Sequence, residues 1–70
     1  MENRGIFANL SRIKEIARSK NLSINALETR AKVANGTIRK WETTIPQLDS
    51  FISVANVLGV DYEEIIERRK

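Results

Sequence analysis

The chain has no cysteine and no histidine, and only one proline and three glycines among its 70 residues. Without thiols or imidazoles it can form no disulfide, no thiolate zinc site and no Cys–His or Ser–His–Asp relay. No apolar run approaches the roughly 20 residues that span a bilayer. The acidic residues form no catalytic pair and no metal-ligand cluster. We therefore expect neither an enzyme nor a cofactor, metal or membrane partner.

The composition is that of a folded domain, with 41% hydrophobic and 30% charged residues. A chain this short has room for one domain, which we place at residues 1–70. We expect a loose N-terminus at 1–5 and a fraying basic C-terminus at 67–70. The expected location is the cytosol.

Charge is unevenly distributed along the chain. Residues 1–40 carry nine Lys or Arg against three Asp or Glu, a net charge of +6. Residues 41–70 carry three against six, a net charge of −3. A strongly basic half in a small domain favours a polyanionic partner, most often nucleic acid.

The spacing of apolar residues predicts an all-α fold. Steps of three and four predict five short helices, and no segment shows the alternation of a strand. Ser23 is a candidate N-cap, Gly59 a natural helix stop, and Asp61 with Glu64 has capping-box spacing. The predicted helices cover residues 6–20, 24–31, 35–42, 46–58 and 61–66.

The second and third helices, joined by a three-residue turn, have the pattern of a helix-turn-helix. Asn can bond bidentately to adenine, Arg and Lys to guanine, and the Thr methyl can touch that of thymine. Glycine removes a side chain where the helix would approach DNA most closely. Ile38 and Trp41 are predicted to face the core. The candidate base-reading residues are Asn35, Gly36, Thr37, Arg39 and Lys40. For Asn35, an N-cap role and a base contact remain alternatives.

From about residue 12 to 66 the chain resembles the Cro/repressor-type (XRE-like) helix-turn-helix domain. The matching segments include Leu-Ser at 22–23, Asn-Gly-Thr-Ile-Arg-Lys-Trp-Glu at 35–42 and Val-Ala-Asn-Val-Leu-Gly-Val-Asp at 54–61. The second segment is similar to small phage-type regulators of Gram-positive bacteria. The resemblance implies a compact five-helix, lambda-repressor-like bundle that binds DNA in the bacterial nucleoid.

Position by position, the resemblance assigns base-facing roles to Asn35, Gly36, Thr37 and Lys40, with Arg39 beside them. It assigns phosphate contacts to the region of Ser23, Ile24, Asn25, Thr43 and Thr44. Three departures from the family pattern stand out. Ile24 replaces a phosphate-clamping Gln, Ala17 replaces an Arg that pairs with Glu42, and Lys32 and Ala34 replace the Gly and the Ser or Thr before helix three.

The favoured function is a sequence-specific, double-stranded DNA-binding transcription regulator, a phage or prophage repressor or Cro-like protein. It would bind a pseudo-palindromic operator as a homodimer, formed in solution or only on DNA. Tyr62, Ile65 and Ile66 are the candidate dimer contacts. The alternative is an antirepressor that docks onto another phage repressor through Ile24, unless Ile24 packs into the core beside Leu27. An antitoxin of a toxin–antitoxin pair is a third candidate function.

Overall fold

The structure is a computed structural model that describes residues 6–68. Within this range, four α-helices are followed by one 3₁₀ helix, and a short strand stands at each end. In chain order the elements are β1 (Ile6–Ala8), α1 (Leu10–Ser19), α2 (Ile24–Ala31), α3 (Thr37–Lys40), α4 (Leu48–Leu58), the 3₁₀ helix (Tyr62–Ile65) and β2 (Ile66–Arg68). The predicted loose N-terminus at 1–5 lies outside the described residues, as do residues 69–70. The predicted fraying of the C-terminus from residue 67 is wrong for residues 67–68, because they pair with β1 as part of β2.

The two strands correct the all-α prediction. β1 pairs antiparallel with β2, with Phe7 opposite Glu67. The first helix, predicted to begin at residue 6, begins at Leu10, because residues 6–8 form β1. The Asn9 side chain caps this helix by accepting the Arg12 N–H at 3.1 Å. Three-residue strands are too short to show alternation, and their pairing joins opposite ends of the chain. Local sequence patterns therefore gave no sign of them.

The predicted fifth helix is present only as one short 3₁₀ helix and not as an α-helix, so the five-helix count is not confirmed. Tyr62–Ile65 is a 3₁₀ helix, and the Asp61 side chain makes no capping hydrogen bond. Instead the Asp61 backbone carbonyl accepts the Glu64 N–H at 2.9 Å. The Ile65 carbonyl then accepts the Asn9 N–H at 2.8 Å. This bond and the strand pairing hold Ile66 extended, which leaves no room for another helical turn.

The helix-turn-helix segment follows the prediction more closely. α2 covers the predicted residues, and the Ser23 Oγ caps it by accepting the Ala26 N–H at 3.0 Å. α3 is much shorter than predicted, with only four residues. α4 begins at Leu48, two residues later than predicted, and ends before Gly59, as predicted.

The core lies between α1, α2 and α4, and β1, α3 and the 3₁₀ helix also contribute buried residues to it. Ile38 and Trp41 are buried as predicted, and the Trp41 ring packs edge-on against Phe51 with centroids 5.6 Å apart. The buried apolar residues are Ala8, Ile13, Ala17, Leu27, Ala31, Ile38, Trp41, Phe51, Val54, Ala55, Leu58 and Ile65. These contacts fix one side of α3 and leave its other side at the surface.

Candidate nucleic-acid interface

The outer side of α3 carries exposed polar and cationic groups. Asn35, Arg39 and Lys40 are exposed, while Gly36 and Thr37 are half-buried. Neither Arg39 nor Lys40 forms an ion pair with another residue in the described range 6–68. Because Ile38 and Trp41 anchor the opposite side, the two cations project into solvent from a fixed base. Such cations are available to an anionic partner.

A groove of about 480 Å³ separates the start of α2 from the start of α3. Five predicted contact residues line it, together with Ile24 and Glu28. The five are Ser23, Asn25, Asn35, Gly36 and Arg39. The fold thus brings these five predicted residues to one surface, whereas the predicted base-contact residues Thr37 and Lys40 do not line the groove.

Gly36 allows the chain to turn into α3. Its φ is +87°, in the left-handed region that side chains disfavour. A Cβ built at this position meets nothing within 4 Å. Within the protein, glycine is therefore favoured here by the left-handed backbone and not by lack of space for a side chain. Gly36 also lines the groove.

The start of α3 depends on Glu28, which the sequence analysis did not single out. The Glu28 carboxylate accepts the N–H groups of Gly36 at 3.1 Å and Ile38 at 3.0 Å. Asn35 makes no capping hydrogen bond, so the capping alternative for Asn35 is wrong. A signal was present in the sequence, since Glu28 lies next to Leu27 and three residues before Ala31, on the inward side of α2.

Thr43 and Thr44 lie in the turn after α3 and do not line the groove. The Thr44 hydroxyl donates to the Lys40 carbonyl at 2.8 Å, and the Thr43 hydroxyl reaches the same oxygen at 3.5 Å. Both backbone N–H groups also donate to this carbonyl. The single hydroxyl proton of Thr44 is thus used in closing the C-terminal end of α3.

The candidate partner contacts lie in different environments. Ile65 is fully buried, so it offers no surface to a partner and that expectation is wrong. Ile66 is partly buried, and Tyr62 is 43% exposed. Ile24 packs partly against the core and lines the groove with its remaining surface. Leu48, which lies one helical turn before the buried Phe51, is 62% exposed.

The described residues contain no cluster of acidic residues that could hold a metal ion. No helix among them is long and apolar enough to cross a membrane. Among the described residues, the fold presents the short helix α3, whose two cations form no ion pair, and an open groove separates its start from that of α2.

A family model described as Helix-turn-helix matches residues 13–65. The chain belongs to the Cro/C1-type (XRE-like) helix-turn-helix family. This family consists of DNA-binding regulatory domains, so the chain is a DNA-binding transcription regulator of the XRE/Cro type and its partner is double-stranded DNA. No curated protein and no solved structure matches the chain. Within this family, α2 and α3 are the helix-turn-helix pair.

Proposed function

We propose that this helix-turn-helix protein is a sequence-specific repressor or Cro-like regulator of phage type that reads the major groove with α3. The exposed, unpaired Arg39 and Lys40 beside Asn35, on a helix anchored by Ile38 and Trp41, carry the proposal. Arg and Lys read the O6/N7 edge of guanine, and Asn reads adenine. The protein acts on DNA in the bacterial cytosol.

Selection from a randomised duplex pool at near-physiological salt tests site-specific binding. Enrichment of a short inverted repeat with half-sites about one helical turn apart supports an operator-binding regulator. Retention without enrichment, disappearing as salt rises, shows only attraction to phosphates and contradicts the proposal. The search would then turn to a protein partner, as an antirepressor requires.

Single substitutions on α3 test which helix reads the site. We expect Arg39→Ala and Lys40→Ala each to weaken binding to the selected duplex by about 1–3 kcal/mol. Arg30→Ala is the matched control, because Arg30 is an exposed cation at the end of α2 that does not line the groove. Equal losses for all three variants would show a general charge effect and not base reading.

We further propose that the protein binds its operator as a homodimer, using the apolar surface formed by Ile45, Leu48 and Tyr62. These are the exposed large apolar side chains among residues 7–67. Ile45 lies in the loop that joins α3 to α4, Leu48 is the first residue of α4, and the Tyr62 ring packs against Phe51, one turn after Leu48. We propose that a second copy on the adjacent half-site packs against this surface.

Sedimentation velocity on the selected inverted repeat tests the dimer. We expect two copies per duplex for the wild-type protein and one for Leu48→Glu, because the carboxylate would be desolvated at the interface. Two copies bound by Leu48→Glu with unchanged affinity would rule out this surface.

A further inference from the structure

Glu28 is the one charged side chain that is fully buried among residues 7–67. Its Oε1 accepts the Gly36 N–H at 3.1 Å, and its Oε2 accepts the same N–H at 3.1 Å and the Ile38 N–H at 3.0 Å. The carboxylate therefore spans the turn into α3 and its first residues. It links α2 directly to the backbone of the reading helix, because Gly36 and Ile38 follow Glu28 by eight and ten residues along the chain.

Burying a carboxylate is costly unless hydrogen bonds replace the water that it loses. No Lys or Arg in the described range pairs with Glu28. Its compensation comes from the two backbone N–H groups, through charge-assisted hydrogen bonds that are stronger than neutral ones. The N–H groups that a short helix leaves unpaired at its start are satisfied by the same contacts.

We propose that Glu28 is the positioning residue of α3: its carboxylate sets where the reading helix begins and how Asn35, Arg39 and Lys40 are directed toward the bases. Glu28 itself touches no DNA. This inference rests on the proposed function of α3 as the reading helix. It also accounts for Ala34, which stands where the family has a capping Ser or Thr.

A four-residue helix has too few internal hydrogen bonds to be stable on its own. When the Glu28 contact is weakened, α3 samples other arrangements, and only a fraction of molecules is ready to read DNA. The apparent affinity is the intrinsic affinity multiplied by that fraction. Nonspecific binding depends mainly on phosphate charge and not on the direction of particular side chains. A loss confined to the specific complex is therefore the signature of positioning.

The test compares Glu28→Gln with the wild-type protein on two duplexes, the one selected from the random pool and a scrambled duplex of equal length. Glu63→Gln is the control, because it also removes one negative charge but from an exposed residue of the 3₁₀ helix. At a temperature where circular dichroism shows every variant folded, we expect Glu28→Gln to lose about tenfold in affinity for the selected duplex. Its affinity for the scrambled duplex should stay within about twofold, and Glu63→Gln should keep the wild-type ratio.

Two results would overturn the positioning role. Unchanged affinities for both duplexes in Glu28→Gln show that α3 does not need the carboxylate, and equal losses on both duplexes show a merely structural effect. If Glu28→Gln fails to fold, Glu28→Asp carries the same comparison, since it keeps the charge but is one methylene too short to hold both N–H groups.

Failure of the proposed function gives a different result. The wild-type protein would then bind both duplexes equally, and the proposed role of Glu28 in directing base-reading side chains would fail as well.

The hydrogen bond from the Ile38 N–H to the Glu28 carboxylate is measured without DNA, as an NMR scalar coupling between the Ile38 amide nitrogen and the Glu28 carboxyl carbon. We expect this coupling in the wild-type protein, and its absence would also overturn the proposal.

Discussion

Replacing Gly36 with alanine isolates the conformational requirement at the entry to α3. The left-handed backbone costs a residue with a Cβ about 1–2 kcal/mol. Alanine also lowers the entropy of the unfolded chain, which offsets about 0.4–1 kcal/mol. Because nothing lies within 4 Å of the added Cβ, no clash adds to the cost. We expect a net destabilisation of about 1 kcal/mol.

Urea unfolding followed by circular dichroism measures this change. With an m-value of about 1 kcal/mol/M for a small domain, the midpoint should fall by about 1 M. Gly36→Asn should lose less, because asparagine tolerates the left-handed region. Gly59→Ala is the matched control, since Gly59 has φ +75° and its Cβ would meet only Lys20 Nζ at 3.9 Å. The two alanine variants should therefore be destabilised by similar amounts.

DNA binding separates the two glycines. Gly36 lines the groove between α2 and α3, whereas Gly59 follows α4. Under conditions where both variants are folded, we expect only Gly36→Ala to lose affinity for the selected duplex, because its Cβ enters the space that DNA would occupy. Unchanged stability in Gly36→Ala would refute the backbone argument. Equal binding losses at both glycines would refute the assignment of the groove to DNA.

Three further substitutions test contacts that stabilise the domain or position α3. Trp41→Ala should destabilise the domain by about 3–5 kcal/mol in urea unfolding, whereas Tyr62→Ala, at an exposed ring, should cost much less; similar losses would contradict the core position of Trp41. Asn9→Ala should cost about 1 kcal/mol in the same assay, and no change would show that its cap of α1 is dispensable. Ala34→Ser should have little effect alone but restore specific DNA binding in Glu28→Gln, because the serine supplies a new acceptor at the start of α3. If Ala34→Ser changed DNA binding equally in the wild-type protein and in Glu28→Gln, the two residues would not act on the same N–H groups at the start of α3.

Local signals in the sequence predicted the elements whose causes are local. Ser23 caps α2 and Gly59 ends α4, as expected from residue type alone. The spacing of Ile38 and Trp41 predicted the buried side of α3, and with it the exposed side that carries Arg39 and Lys40. The two helix ends depend on contacts within a few residues along the chain, and the buried side of α3 is marked by the local spacing of its apolar residues.

Features that depend on distant contacts were missed. The pairing of β1 with β2 joins residues about 60 positions apart in sequence, and it prevented the fifth helix that the capping-box spacing at Asp61 favoured. Leu48 has helical spacing with Phe51 and Ile52, but it lies at the first turn of α4, where no other element covers it. Periodicity identifies a helix face and does not say how far the core extends along it.

Glu28 shows why the candidate site was only partly predictable. A glutamate in a short helix is usually solvated, and only the three-dimensional course of the chain brings the N–H groups of Gly36 and Ile38 to its carboxylate. α3 is consequently a helix whose order comes from its surroundings: Ile38 and Trp41 hold its inner side, Glu28 its start and Thr44 its end. Such a helix can be redirected by changes that never touch DNA. Substitutions in α2 should therefore alter which sequences this protein prefers, as well as how tightly it binds.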